Sequence, residues 1–267
     1  MIPTGGEHTG GRRTALQRPR AWRQRPRAWR AQTAAELRST LRRGDAILLN
    51  LAIPVGLLVF FSAVKVLPVP AGVLRPVDFL APGVLALAVM SSSMVSLGIA
   101  TGFERQYGVL KRLGVTPLGR PKLLAAKITS TAAVEVFQLV VLSGIALAFG
   151  WRPTGNVALG VVALLEGTAA FAGLGLLMAG SLRAEVTLAA ANGAYILLLL
   201  LGGMLFPLSQ LPTAVRYAAD GLPAGALSQV LRASLTGGSP QSLGAWIALS
   251  AWALAGPALA SRTFRWE

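Results

Sequence analysis

Residues 79–102 read FLAPGVLALAVMSSSMVSLGIATG, and residues 103–127 read FERQYGVLKRLGVTPLGRPKLLAAK. The first stretch holds no charged residue and, at about 1.5 Å per residue, is long enough to cross a hydrocarbon layer of about 30 Å. The second carries six cations against a single acid, Glu104. An uncharged span that ends in a dense basic segment marks a membrane-crossing helix and the side on which it emerges.

Working outward, five more windows have the same character: Ala46–Leu67, Ile128–Gly150, Asn156–Gly180, Val186–Leu208 and Leu243–Ser261. Apart from Lys65 near one end, only Glu135 and Glu166 place a charge inside them. A soluble helical bundle needs a polar stripe on each outer helix, and a β-barrel needs short alternating segments; neither pattern is present. The reading is an all-α polytopic membrane protein with six transmembrane helices. Composition agrees, since 13% of the 267 residues are charged and 54% are hydrophobic, against about 25% charged in an ordinary soluble domain. Disorder of the whole chain is excluded by the same numbers. With no cysteine and only His8, which lies in a polar tail, one chain can build no thiolate site, disulfide or histidine triad.

The cations set the topology. Segments 1–45, 103–127, 181–185 and 262–267 hold 20 Lys or Arg, and the opposite side keeps Lys65, Arg75, Arg152, Arg216 and Arg232. The positive-inside rule therefore predicts that both termini are cytoplasmic, at the cell inner (plasma) membrane. No cleavable signal peptide is expected, because the first apolar stretch begins near residue 46 behind an arginine-rich tail.

Residues 1–30 contain a tandem repeat, QRPRAWR at 17–23 and 24–30. They read as a disordered basic tail on an anionic lipid membrane, with no role in nucleic-acid binding. Residues 31–45 follow as an interfacial amphipathic helix, with Ala34, Leu37 and Leu41 at helical spacing among arginines. Residues 46–262 form the six-span domain.

Within 103–127, Val109, Leu110 and Leu113 form a short apolar face, Gly114 ends that turn, and Thr116-Pro117 favours a bend. Leu118, Leu123 and Leu124 then begin a helix leading into span three. Both a helix–turn–helix that docks a cytoplasmic partner and an unpartnered basic loop satisfy these residues. On the other side, residues 207–236 are punctuated by Pro207, Pro212 and Pro223. The pieces 213–219 and 224–235 are helices too short to span, which reads as an outer re-entrant hairpin or as a plain extracellular cap.

Glu135 and Glu166 are costly inside a bilayer and are expected to face a bundle interior or a polar path. Either they contact substrate or they pack helices together as hydrogen-bonded groups. Asn50 and Asn192 are expected to bond between helices, and with Glu135 and Glu166 they are the candidates for lining a substrate path. The small residues Ala169, Ala170, Ala172, Gly173 and Gly175 permit close packing of span four. Glu104 either pairs with a local arginine and anchors the basic segment or is a solvated surface acid.

The run Glu104-Arg105-x-x-Gly108-x-Leu110-Lys111-Arg112-Leu113, followed by Thr116-Pro117-Leu118-x-Arg120 and later Lys127, resembles the cytoplasmic signature of ABC-2 type transporter permeases. The outer run Gly203-Met204-Leu205-Phe206-Pro207-Leu208-x-x-Leu211-Pro212, then Leu222-Pro223 and Leu231-Arg232, resembles the same family's signature near its last span. The similarity covers about residues 31–262 and is nearest in flavour to the daunorubicin-resistance-like drug-exporter branch. It implies a permease that pairs with a second copy or a related permease and with a cytoplasmic ATPase dimer, which binds ATP and Mg. This chain would need no cofactor of its own. The resemblance places ATPase coupling at Glu104, Gly108, Leu110, Lys111, Arg112, Leu113, Thr116, Pro117 and Arg120. It places the re-entrant segment at Phe206, Pro207, Pro212, Pro223 and Arg232. The substrate it implies is drug-like, lipid or glycan.

The residues support a separate ATPase independently. None of the four lysines, Lys65, Lys111, Lys122 and Lys127, follows glycine or precedes Ser or Thr, as a P-loop requires. The competing reading is a proton-coupled secondary transporter using Glu135 and Glu166.

Overall fold

The computed structural model describes residues 44–64, 75–114, 120–208, 212–237 and 242–264. The expectations for the basic tail and for most of the interfacial helix lie outside these residues. Every regular element among the described residues is helical: α1 (Gly44–Val64), α2 (Pro76–Gln106), α3 (Val109–Gly114), α4 (Arg120–Ala148), α5 (Val157–Ser181), α6 (Ala184–Leu201), α7 (Thr213–Gly221), α8 (Pro223–Leu235) and α9 (Leu243–Thr263).

Local sequence explains most of the boundaries. Pro76 and Pro223 open α2 and α8, where a missing N–H costs nothing. Asn156 caps α5 by accepting from the backbone N–H of Ala158 and Leu159 at 3.0 and 3.3 Å. Ser242 caps α9 from Ala245 at 3.2 Å. Gly108 closes α2 at φ +69°, a conformation costly for residues with a Cβ. The chain then turns directly into α3.

Five helices are long and apolar enough to cross a membrane: α2, α4 from Lys122, α5, α6 and α9. In α1, the apolar portion Asn50–Val64 is shorter. Its residues Leu51, Val55, Leu58 and Phe61 nonetheless pack on the main core. The window expected to reach Leu208 stops at Leu201, because Gly202 and Gly203 turn the chain, the latter at φ +64°. Span two is longer than expected and runs unbroken past Gly102 to Gln106.

Helix α2 is the central post. Val77 and every residue from Phe79 to Met90 are buried. The other spans instead expose Val136, Val140, Leu165, Leu197 and Leu254 on their outer faces, an apolar surface suited to lipid rather than water. Helix α5 crosses α2 and α9 at glycines. A Cβ on Gly98 would meet the Gly175 carbonyl oxygen at 3.0 Å, and one on Gly173 would meet the Gly256–Pro257 backbone at 2.5–2.6 Å. This is close small-residue packing, as the composition of span four predicts.

Midway, α2 widens into a π-helical segment, Ser91–Ser96. Such segments insert an extra residue and occur often at functional sites. Here serines of the widened segment bond to two neighbouring helices, α1 and α4.

Candidate functional site

The end of α2 and the short helix α3 form the first candidate site. The side chain of Lys127, on α4, is buried and donates to Glu104. The expected arginine partner is thus replaced by a lysine 23 residues downstream. The reason is reach: α4 begins well before the bilayer-length window and carries Lys127 alongside the end of α2. Arg105 Nη1 donates to the Gly180 carbonyl at 2.6 Å, and Nη2 donates to that of Leu182. Those carbonyls end α5, where they lack partners within the helix and carry the negative end of its dipole. Gln106 Nε2 donates to Glu185 Oε1 at 2.7 Å in the first turn of α6.

Beneath this polar layer lies a small apolar cluster of Leu97, Leu110, Leu123, Leu124, Leu176 and Phe264, with neighbouring alanines. Leu110 is fully buried in it. The expectation that Leu110 fills a groove on a partner is therefore corrected. One short helix has two faces, and the face carrying Leu110 is spent on this chain's own core. The outward residues are Tyr107, 71% exposed, with Val109 and Lys111 beside it. The Tyr107 ring stacks on Phe103 at 6.1 Å. Sequence reasoning passed over Tyr107, although its place beside Gly108 at the helix end was visible. The side chains of Arg112, Leu113 and Arg120, and all of Thr116 and Pro117, lie outside the described residues.

A second site is a polar seam through the core. Ser93 donates to one oxygen of Glu135, and Thr168 Oγ1 donates to Oε2 at 2.6 Å. Ser92 Oγ donates to Gln138 Oε1 at 2.7 Å. Gln138 Nε2 donates to the Asn50 carbonyl at 2.8 Å, and Asn50 Nδ2 donates to Ser96 Oγ at 2.5 Å. The seam thus joins α1, α2, α4 and α5 through the π segment. Glu135 is buried on the floor of an apolar cleft of about 730 Å³ between α4 and α5, lined by Val140, Val161 and Leu164.

Glu166 is elsewhere, accepting from Ser250 Oγ of α9 at 2.9 Å. The two glutamates therefore bond to different helices. Asn50 bonds between helices as expected. Asn192 does not, because its side chain is exposed and donates to its own helix at the Leu188 carbonyl, 2.8 Å away.

At the opposite end of the spans, Arg232 sews α8 to the turn after α6. Its Nη2 donates to the Gly203 and Met204 carbonyls at 2.5 and 3.1 Å, and its guanidinium lies 4.0 Å over the Phe79 ring. Ser228 Oγ adds a bond to the Gly202 carbonyl at 2.5 Å. Pro207 and Pro223 are buried, while Phe206 and Pro212 are exposed. No group of acids or histidines able to hold a metal occurs among the described residues.

Long apolar helices around a buried post, crossed at glycines and sewn by polar side-chain bonds, define a multi-pass membrane protein. Residues 27–235 match the ABC-2 type transporter family, and the chain belongs to it. A similar protein is the one named "Putative transport permease YvfS" of Bacillus subtilis (strain 168). The two are 28% identical over 217 residues, covering 78% of this chain and 86% of that one. The chain is accordingly a membrane subunit of a transporter.

Proposed function

We propose that this chain is the permease subunit of an ATP-binding-cassette exporter at the cell inner membrane, energised by a separate ATPase dimer that docks on α3. The observation that carries the reading is the placement of α3. A short helix with Val109 and Lys111 exposed follows the exposed Tyr107 at the end of the central span, and its Leu110 is buried in the chain's own core. Such a knob suits a groove on a partner, and the surrounding cations suit orientation of an approaching protein. The packing of α1 against the core supports a sixth span, and with it the cytoplasmic placement of both termini. Helix α6 exposes Val186, Leu188, Ile196 and Leu197 alongside Asn192, which supports a second permease copy on that face. The substrate class consistent with such a path is drug-like, lipid or glycan.

Proton-coupled transport finds less support, since Glu135 and Glu166 are engaged separately by hydroxyls of different helices. The deciding experiment is co-purification with a P-loop ATPase encoded beside this chain, with ATP hydrolysis measured in the complex. Val109→Asp is expected to abolish co-purification while insertion stays normal. Transport without any ATPase would sink the reading.

A further inference from the structure

We infer that Glu104, Arg105 and Gln106 are positioning residues: together they form the grip by which any displacement of α3 is imposed on α4, α5 and α6. The inference rests on the ATPase-driven reading above and adds a transmission route to it.

Consecutive helical residues point about 100° apart, so three in a row span about 200° of the axis. Here each meets a different helix. Glu104 takes Lys127 of α4, Arg105 takes the carbonyl end of α5, and Gln106 takes Glu185 of α6. The position matters as much as the partners. The three lie at the last turn of the central span, and only Tyr107 and Gly108 separate them from α3.

The apolar cluster under them, Leu110 included, holds by contacts that have no preferred direction. Charge-assisted hydrogen bonds are directional and stronger than neutral ones. They therefore transmit a pull as well as a push. The fixed turn at Gly108 makes α3 the handle and the three side chains the grip.

The cysteine-free chain permits a direct test. A single cysteine replaces Tyr217, 69% exposed on α7 beyond the far end of α6. Its maleimide labelling rate is compared in the permease–ATPase complex without nucleotide and after trapping with Mg·ATP and vanadate. With the grip intact, trapping is expected to change the rate about fivefold or more, within the ordinary range of coupling between sites. In Arg105→Gln that change should be lost, while the ATPase still co-purifies and still hydrolyses ATP; in Glu104→Gln the change should be lost as well. Exchanging the charges, Glu104→Lys with Lys127→Glu, should restore part of it. A full response in Arg105→Gln overturns the inference, as does an intact-grip complex that shows none. Should the buried variants fail to insert, Gln106→Ala on the exposed rim decides, with a reduced response expected and an undiminished one overturning. Failure of any ATPase to co-purify with the intact-grip protein would instead remove the exporter reading, and the inference with it.

Discussion

Lys127 donates to Glu104 from a far drier position than its partner occupies: the lysine side chain is 3% exposed and the glutamate 20%. The two halves of this pair are therefore unequal. Removing the carboxylate breaks an ion pair at its buried end, which typically costs about 3–5 kcal/mol. Removing the lysine leaves an acid that water can reach. Glu104→Ala should lower the thermal midpoint of the purified protein clearly more than Lys127→Ala. Equal losses would show that the lysine is solvated.

Gly108 sits at φ +69° with open space where a Cβ would go. Gly108→Ala should therefore cost about 1–2 kcal/mol through backbone strain alone. Gly193, inside α6, also has open space but ordinary helical geometry. Gly193→Ala should be neutral or stabilising by up to about 1 kcal/mol. Thermal unfolding of the two variants side by side checks the contrast.

Gly173 faces the opposite constraint. A Cβ there would press into the Gly256–Pro257 backbone at 2.5–2.6 Å, which cannot step aside as a side chain would. Overpacking of this kind costs about 1–3 kcal/mol or more. Gly173→Ala should sharply reduce the yield of monodisperse protein, and Gly144→Ala, with nothing within 4 Å, should not. Gel-filtration profiles in detergent separate the outcomes.

Leu110 and Tyr107 should separate folding from docking. Leu110→Ala empties a fully buried site and should cost about 2–5 kcal/mol. Tyr107→Ala, at an exposed position, should leave the thermal midpoint nearly unchanged while weakening ATPase capture by about tenfold or more, as loss of an aromatic anchor does. A Tyr107→Ala protein that captures ATPase normally would move the docking face elsewhere.

Glu135 and Glu166 should likewise differ. Glu135 accepts from two hydroxyls in a buried seam, so Glu135→Leu orphans Ser93 and strips Thr168 of one of its two acceptors. Each orphaned group costs about 1–3 kcal/mol, although Thr168 keeps its bond to the Leu164 carbonyl at 2.9 Å. Glu166→Leu orphans only Ser250. Thermal midpoints should fall further for Glu135→Leu, and Glu135→Gln, which keeps an acceptor oxygen, should recover most of the loss.

The sequence by itself determined where the five long apolar helices lie, most of their approximate limits and the two signature regions. Those depend on the length of apolar runs and on where cations are excluded, and both are properties of residues taken in order. It also foretold that small residues in α5 let helices approach, because the lack of side-chain bulk is local. Only the tertiary structure decided the partners. Glu104 meets a lysine rather than an arginine because α4 begins early enough to bring Lys127 beside it. Leu110 turns inward because the apolar layer of α2, α4, α5 and α9 takes one face of α3, and Tyr107, just before that helix, is left outside the layer. Glu135 and Glu166, alike on paper as lone acids in apolar runs, part company because their carboxylates meet hydroxyls of different helices. Periodicity states which residues share a face. Which neighbour covers that face is set by how the helices cross, and that depends on contacts between residues far apart in the chain.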